Sequence, residues 1–286
     1  MYITDYPLWI SRYRFEYKNI KEVPEVVFEK VNAKLDALQS AEPVVSIIIA
    51  AWNEEVNILR NIASLADQKT TVPIEIIVVD NNSSDQTSFT LGKLSVRKFF
   101  QEIQGCGPAR QMGLEHARGK YILLADADCV YPESWVDEML AELSKDEVVC
   151  VYGRYSFIPE PGFPRWKLFM LERMKDVISE LRHIKRPYLN AFGISMGYVT
   201  EYGLKVGHNM TEFRGDDGKL CFDLMPFGKI RQVKSESARA WTAPRTLQRD
   251  GSFSQALLSR LRIESSKIFS FLTYHKPHDT KNVPGE

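Results

Sequence analysis

Two carboxylates one residue apart, Asp126 and Asp128, follow directly on the apolar run Tyr121-Ile122-Leu123-Leu124-Ala125. In an extended strand residues i and i+2 share a face, so both acids would leave the strand end on the same side. Paired hard oxygens in that position suit a divalent cation of the magnesium or manganese kind. Asp-x-Asp pairs also serve as turn residues and helix caps, so the surrounding pattern has to decide between these uses.

That pattern is an alternation of strands and helices. Val44 to Ala50 is a β-branched run with the look of a central strand buried on both faces. Ile58, Ile62 and Leu65 make a helical stripe, and Ile74 to Val79 the next strand. Strands are expected over 98–103, 121–125 and 148–152, with helices over 108–117, 133–144 and 164–181. Repeated β-α units imply a mainly parallel α/β sheet with helices on both faces, and its ligand crevice lies along the carboxyl ends of the strands. Trp52-Asn53-Glu54-Glu55, Asp80-Asn81 and Asp126-Ala127-Asp128 all follow strands and should meet at that edge.

Outside this body, residues 1–40 read as an extension containing a helix after Pro24, and residues 247–286 as an amphipathic tail. The tail carries Phe253, Leu257, Leu258, Leu261, Ile268, Phe269 and Leu272, with Arg260, Arg262 and Lys267 between them. Such a segment suits either a membrane surface or packing on the domain. The 37 basic and 37 acidic residues cancel, so no global field favours nucleic acid. Cys106, Cys129, Cys150 and Cys221 lack zinc-ligand spacing and suggest no disulfide framework; they are expected to be reduced. With no leader-like segment and no apolar run long enough to span a bilayer, the expectation is a protein on the cytosolic side, soluble or peripheral.

Taken together, four motifs resemble the family 2 glycosyltransferases of the GT-A fold. They are Val45 to Glu55 (VSIIIAAWNEE), Ile76 to Thr87 (IIVVDNNSSDQT), Gly107 to Ile122 (GPARQMGLEHARGKYI) and Asp126 to Asp128. The resemblance implies a catalytic domain over 41–246, with a nucleotide-sugar half (41–135) and an acceptor half (136–246). It implies donor contacts at Ala51, Trp52, Glu54, Asn81, Arg110, Asp126, Ala127 and Arg245. Trp52 would stack on the base, and Arg110 would meet the nucleotide or diphosphate. Glu55 reads instead as a first-turn helix acid. Asn81 departs from the family, which usually has Asp there; an amide both accepts and donates, which leaves the base preference open.

The resemblance further implies Mn²⁺ or Mg²⁺ on Asp128, with Asp126 on the ribose or a metal-bound water, and Asp217 as catalytic base beside Asp216. Helix capping is the other use of either acid in that pair. The implied reaction is an inverting transfer from a UDP- or GDP-sugar to a hydroxyl of a glycan or lipid-linked acceptor. A non-catalytic nucleotide-sugar binder would share the same architecture. A nucleotidyltransferase or a nicotinamide dehydrogenase is disfavoured, because no glycine-rich loop follows the first strand.

Overall fold

The computed structural model describes residues 3–210, 215–245 and 247. In chain order its helices and strands are α1 (Glu25–Leu38), β1 (Val45–Ala51), α2 (Asn57–Leu65), β2 (Ile74–Asp80), α3 (Thr87–Gly92), β3 (Arg97–Phe100), α4 (Cys106–His116), β4 (Tyr121–Asp126) and β5 (Cys129–Val130). Then follow α5 (Trp135–Leu143), β6 (Val148–Tyr152), β7 (Tyr155–Phe157), α6 (Arg165–His183), β8 (Met196–Val199), α7 (Thr200–Val206), α8 (Asp216–Leu224), β9 (Lys229–Gln232) and β10 (Ala240–Thr242). Short 3-10 turns occupy Pro187–Asn190 and Gly193–Ser195.

The main sheet has the order β3-β2-β1-β4-β8-β6-β9. Strands β1 to β4 are mutually parallel, β6 is parallel to β9, and β8 runs antiparallel to both β4 and β6. The architecture is the mainly parallel α/β one expected, with β8 as the one reversed strand in this sheet. In register, Ala51 lies opposite Asp80 and Ala50 opposite Asp126, so the carboxyl ends of β1, β2 and β4 finish level. This brings the polar segments after those strands to one edge.

Side chains alternate across β1 and β4. Ile47, Ile49, Leu123 and Ala125 face one apolar cluster, and Ile48, Ile122 and Leu124 face the other. Each fully buried isoleucine or leucine contributes about 1.5–3 kcal/mol, so a shift of one residue in register would be heavily disfavoured. Ile10, Tyr13, Ile20, Phe28, Val31 and Leu35 join the first of these clusters, so residues 8–38 share a core with the sheet. Gln39 adds a backbone bridge to Ile74.

A smaller sheet, β5-β10-β7, lies beyond the acidic pair. Strand β10 pairs antiparallel with β5, and Thr242 stands opposite Cys129. The chain leaving β10 is thereby set beside Asp128. All four cysteines are free. Arg214 and the tail from 248 lie outside the described residues.

Candidate active site

The first two strand ends are stitched together by their turns. Asn53, held at φ 53°, accepts from the backbone N–H of Ser84 through Oδ1 (2.8 Å), while its own N–H donates to Ser83 Oγ (3.0 Å). The backbone N–H of Glu54 donates to Thr87 Oγ1 (2.8 Å), and that of Glu55 to Asp85 (3.2 Å). These bonds fix the start of α2 against the start of α3. Between them Trp52 stays 55% exposed, although it directly follows a buried strand. An indole left open by a braced turn is a platform for a flat ligand.

Asn81 is buried and fully engaged. Its amide donates to the carbonyls of Ile103 (2.7 Å) and Gln101 (3.3 Å), and its Oδ1 accepts from Gly105 N–H (2.8 Å). The side chain expected to accept from a base therefore shapes the loop that leads into α4. Its neighbour Asp80 accepts from Ser83 N–H (3.1 Å), and the carbonyl of Ala51 accepts from Asn81 N–H (2.8 Å).

Arg110 projects from the first turns of α4 into the protein and is only 4% exposed. One Nη donates to Asp126 Oδ1 at 3.0 Å and the other to Asp217 Oδ1. The guanidinium expected at the diphosphate thus joins the acidic pair of β4 to the start of α8. Asp217 receives a second bond at Oδ2, from the backbone N–H of Gly193 (2.8 Å). A Cβ on Gly193 would lie 1.8 Å from Arg110 Nη2, so only glycine admits this packing. The contact between Arg110 and Asp217 was not foreseen from the sequence.

Both acids of the second pair lie in the first turn of α8, where the helix dipole favours negative charge. They point differently. Asp216 is buried; its Oδ1 accepts from Asn209 N–H (3.2 Å), and its Oδ2 faces His208 Nδ1 at 3.9 Å. The side chain of Asp217 is 21% exposed, so of the two it is the one within reach of a ligand.

The acidic pair on β4 is held from behind. The Tyr131 hydroxyl accepts from Asp126 N–H (2.9 Å) and donates to the carbonyl of Ile194 (2.8 Å). Asn61 donates to the carbonyls of Asp126 and Cys129, both at 2.9 Å. Ala127 is buried between the two acids. The surrounding protein pushes the Asp126 carboxyl up to about 6: desolvation raises it most, Arg110 opposes, and Asp128 and Asp217 raise it further. Burial by itself would weaken the charge on Arg110, but Asp217, Asp126 and Asp216 outweigh that effect and hold its pKa well above the ordinary value.

Arg245, delivered by β10, donates to both oxygens of Glu54 (2.6 and 3.3 Å) and lies 3.7 Å from Asp128 Oδ2. Residues 191 apart in the chain are thereby placed together. Four carboxylates, those of Glu54, Asp126, Asp128 and Asp217, meet two arginines here. Among the described residues no cluster of three or more His, Cys, Asp or Glu forms a closed metal site. Two carboxylates at an open strand end instead fit an ion whose remaining ligands come from a bound phosphate and water.

The fold, a mainly parallel sheet with one reversed strand, is that of the GT-A glycosyltransferases. Residues 46–201 match the family described as Glycosyl transferase family 2, and the chain belongs to that family. It is 31% identical over 155 residues to glycosyltransferase AglE of Haloferax volcanii, covering 50% of each chain. It is 30% identical over 118 residues to the UDP-Glc:alpha-D-GlcNAc-diphosphoundecaprenol beta-1,3-glucosyltransferase WfgD of Escherichia coli, covering 40% of this chain and 46% of that one. To the hyaluronan synthase of Pasteurella multocida it is 33% identical over 119 residues, 40% of this chain and 12% of that one. The match spans half or less of each of these relatives.

Solved structures share the fold at lower identity. The mannosyltransferase PcManGT of Pyrobaculum calidifontis, in complex with GDP-Man and Mn²⁺, superposes with a TM-score of 0.54 at 17% identity, over 83% of this chain and 76% of that one. TarS of S. aureus gives 0.55 at 18% identity, over 70% of this chain and 36% of that one.

Proposed function

We propose that the protein transfers a sugar from a nucleoside-diphosphate sugar to a hydroxyl group, with inversion at the anomeric carbon. The observation that carries this is the Arg110 fork, which joins an acidic pair suited to a diphosphate-bound cation to a ligand-accessible acid, Asp217. Residues 41–135 would take the donor and residues 136–246 the acceptor. The PcManGT complex with GDP-Man and Mn²⁺ supports a nucleotide-sugar donor and a divalent ion. The name of the E. coli relative supports a lipid-linked acceptor in glycan assembly.

Trp52 offers its exposed face to the base, where stacking is worth about 1–3 kcal/mol. Asp128 and Asp126 would hold Mg²⁺ or Mn²⁺, which when bound would neutralise charge on a diphosphate leaving group. Glu54 and Arg245 close the donor side beside Asp128. Arg110 is a positioning residue: it fixes the Asp217 carboxylate, while Gly193 N–H sets its rotation. Asp217 takes the proton from the acceptor hydroxyl as that oxygen bonds to the anomeric carbon. The bond from that carbon to the diphosphate oxygen breaks, and its electron pair leaves with the nucleoside diphosphate.

The test has two arms. A thermal-shift panel of UDP- and GDP-sugars with Mn²⁺ should show stabilisation by one donor class, because a ligand of the native state raises its stability. Release of free nucleoside diphosphate should then require Asp217. Donor binding without any turnover in the wild type, with water or sugar acceptors, would reduce the protein to a nucleotide-sugar binder.

A further inference from the structure

Arg60, on α2, is a half-buried guanidinium with no carboxylate partner among the described residues. Its two Nη groups donate to neutral oxygens, the carbonyl of Phe15 and Asn57 Oδ1 (2.9 Å), while its Nε is buried with no partner at all. Burial weakens its charge most, and the like charges of Arg14 and Arg245 weaken it further. A cation kept under those conditions is not a stabilising ion pair, so its two hydrogen bonds have to account for it.

Those bonds lead to the donor side of the crevice. Asn57 uses both ends of its amide: Oδ1 accepts from Arg60, and Nδ2 donates to Glu54 Oε2 (2.6 Å). Glu54 also accepts from Arg245, at Oε1 (2.6 Å) and at Oε2 (3.3 Å), and Arg245 lies 3.7 Å from Asp128 Oδ2. An amide between a guanidinium and a carboxylate has one favourable orientation, because turning it over would set its carbonyl against Glu54 and its NH₂ against Arg60. Arg60 therefore holds the amide in the sense that lets it donate. With Oε2 held from the side of α2, the Glu54 carboxylate has a fixed rotation in which to receive Arg245.

We propose that Arg60 and Asn57 are positioning residues for Arg245: they orient Glu54, and Glu54 sets where the Arg245 guanidinium stands against Asp128. The outer anchor is the Phe15 carbonyl, which gives the N-terminal extension a part in the site. That anchor is itself fixed, since Ile10, Tyr13 and Ile20 are buried in the core cluster of the sheet and Phe15 packs against it. A guanidinium so placed meets the diphosphate of a donor. This consequence for binding rests on the transferase reading, whereas the link from Arg60 to Arg245 does not.

The link can be read without any ligand in full-length protein labelled with [¹⁵N]arginine. The side-chain Nε–H resonance of Arg245, identified by its loss in Arg245→Gln, should move in both Arg60→Gln and Asn57→Leu. Calorimetry with UDP and GDP, each with Mn²⁺, then reads the consequence. Both variants should bind the nucleotide about tenfold more weakly, and turnover at saturating donor should stay within about twofold of wild type. Arg60→Lys, which keeps a donor for Asn57, should recover part of the affinity. Phe28→Leu, in the same core cluster but outside this chain of bonds, should lower the melting temperature and leave nucleotide affinity unchanged. An Arg245 resonance that stays in place in both variants would overturn the proposal. So would nucleotide affinity unchanged in both variants of a protein whose wild type binds, or an equal loss of affinity in Phe28→Leu, which would reduce the effect to general loosening. A wild type that binds neither nucleotide would count only against the transferase reading, because the resonance still decides the link.

Discussion

Two clusters of arginine and carboxylate occupy opposite ends of the same strands. At the amino ends, Glu75 accepts from Ser46 Oγ and Arg118 N–H at one oxygen, and from the Arg97 and Arg118 guanidinium groups at the other. Burial would raise its pKa, but the bonds from Ser46, from the Arg118 backbone and from both guanidinium groups outweigh it and hold it below the ordinary value. At the carboxyl ends a single arginine, Arg110, serves Asp126 and Asp217, and Asp126 is pushed up to about 6. One acid with two cations is a finished structural joint. Two acids sharing one cation are left short of positive charge, which is what a site for a cation and a diphosphate needs.

The first variant that would break this contrast is Asp217→Asn. Loss of a general base costs on the order of 10²–10⁴ in turnover, while donor affinity by calorimetry should stay within about twofold. Turnover close to wild type would remove Asp217 from its role. Glu75→Gln should act in the opposite sense. Removing the shared acid should cost about 3 kcal/mol of stability, read as a lower melting temperature, with turnover per folded molecule unchanged.

Smaller effects sharpen the division. Trp52→Ala should weaken donor binding by about 1–3 kcal/mol without changing the melt of the free protein. Acidity should separate the clusters too. Since folding lowers the Glu75 pKa, its contribution is complete above the unfolded value of about 4.3 and is lost as pH falls through the folded value. Between pH 5 and 3, roughly, wild-type stability should therefore fall more steeply than that of Glu75→Gln, and parallel curves would show that the network does not depend on ionised Glu75.

The parallel strands were legible because long β-branched runs alternate with helical stripes, and Val148–Tyr152 falls where the sequence places it. The third strand was expected over 98–103 but stops at Phe100, because the loop that follows is drawn in by the Asn81 amide. Strand β8 escaped notice: Met196-Gly197-Tyr198-Val199 is short and glycine-bearing, and only pairing with β4 and β6 makes it a strand. The two- and three-residue strands of the small sheet carry no periodicity to detect.

Within the site, the acids at the end of β4 could be placed because a strand end fixes their direction. The partner of Arg110 could not, since Asp217 lies 107 positions away and arrives through a turn with no regular pattern. Tyr131 and Asn61 were equally hidden, although a polar residue at 61 beside the Ile58, Ile62 and Leu65 stripe was a usable signal. The amphipathic tail expected over 247–286 lies, from 248 on, outside the described residues.

The 1.8 Å between Arg110 Nη2 and the place of a Cβ on residue 193 also bears on how such a chain can change over generations. Replacement of Gly193 alone would push the guanidinium off Asp217, and a shorter side chain at 110 would leave an empty space against the glycine. Drift at either position is tied to the other, so the two should be inherited as one unit. Descendants that abandon arginine at 110 are the ones free to lose glycine at 193.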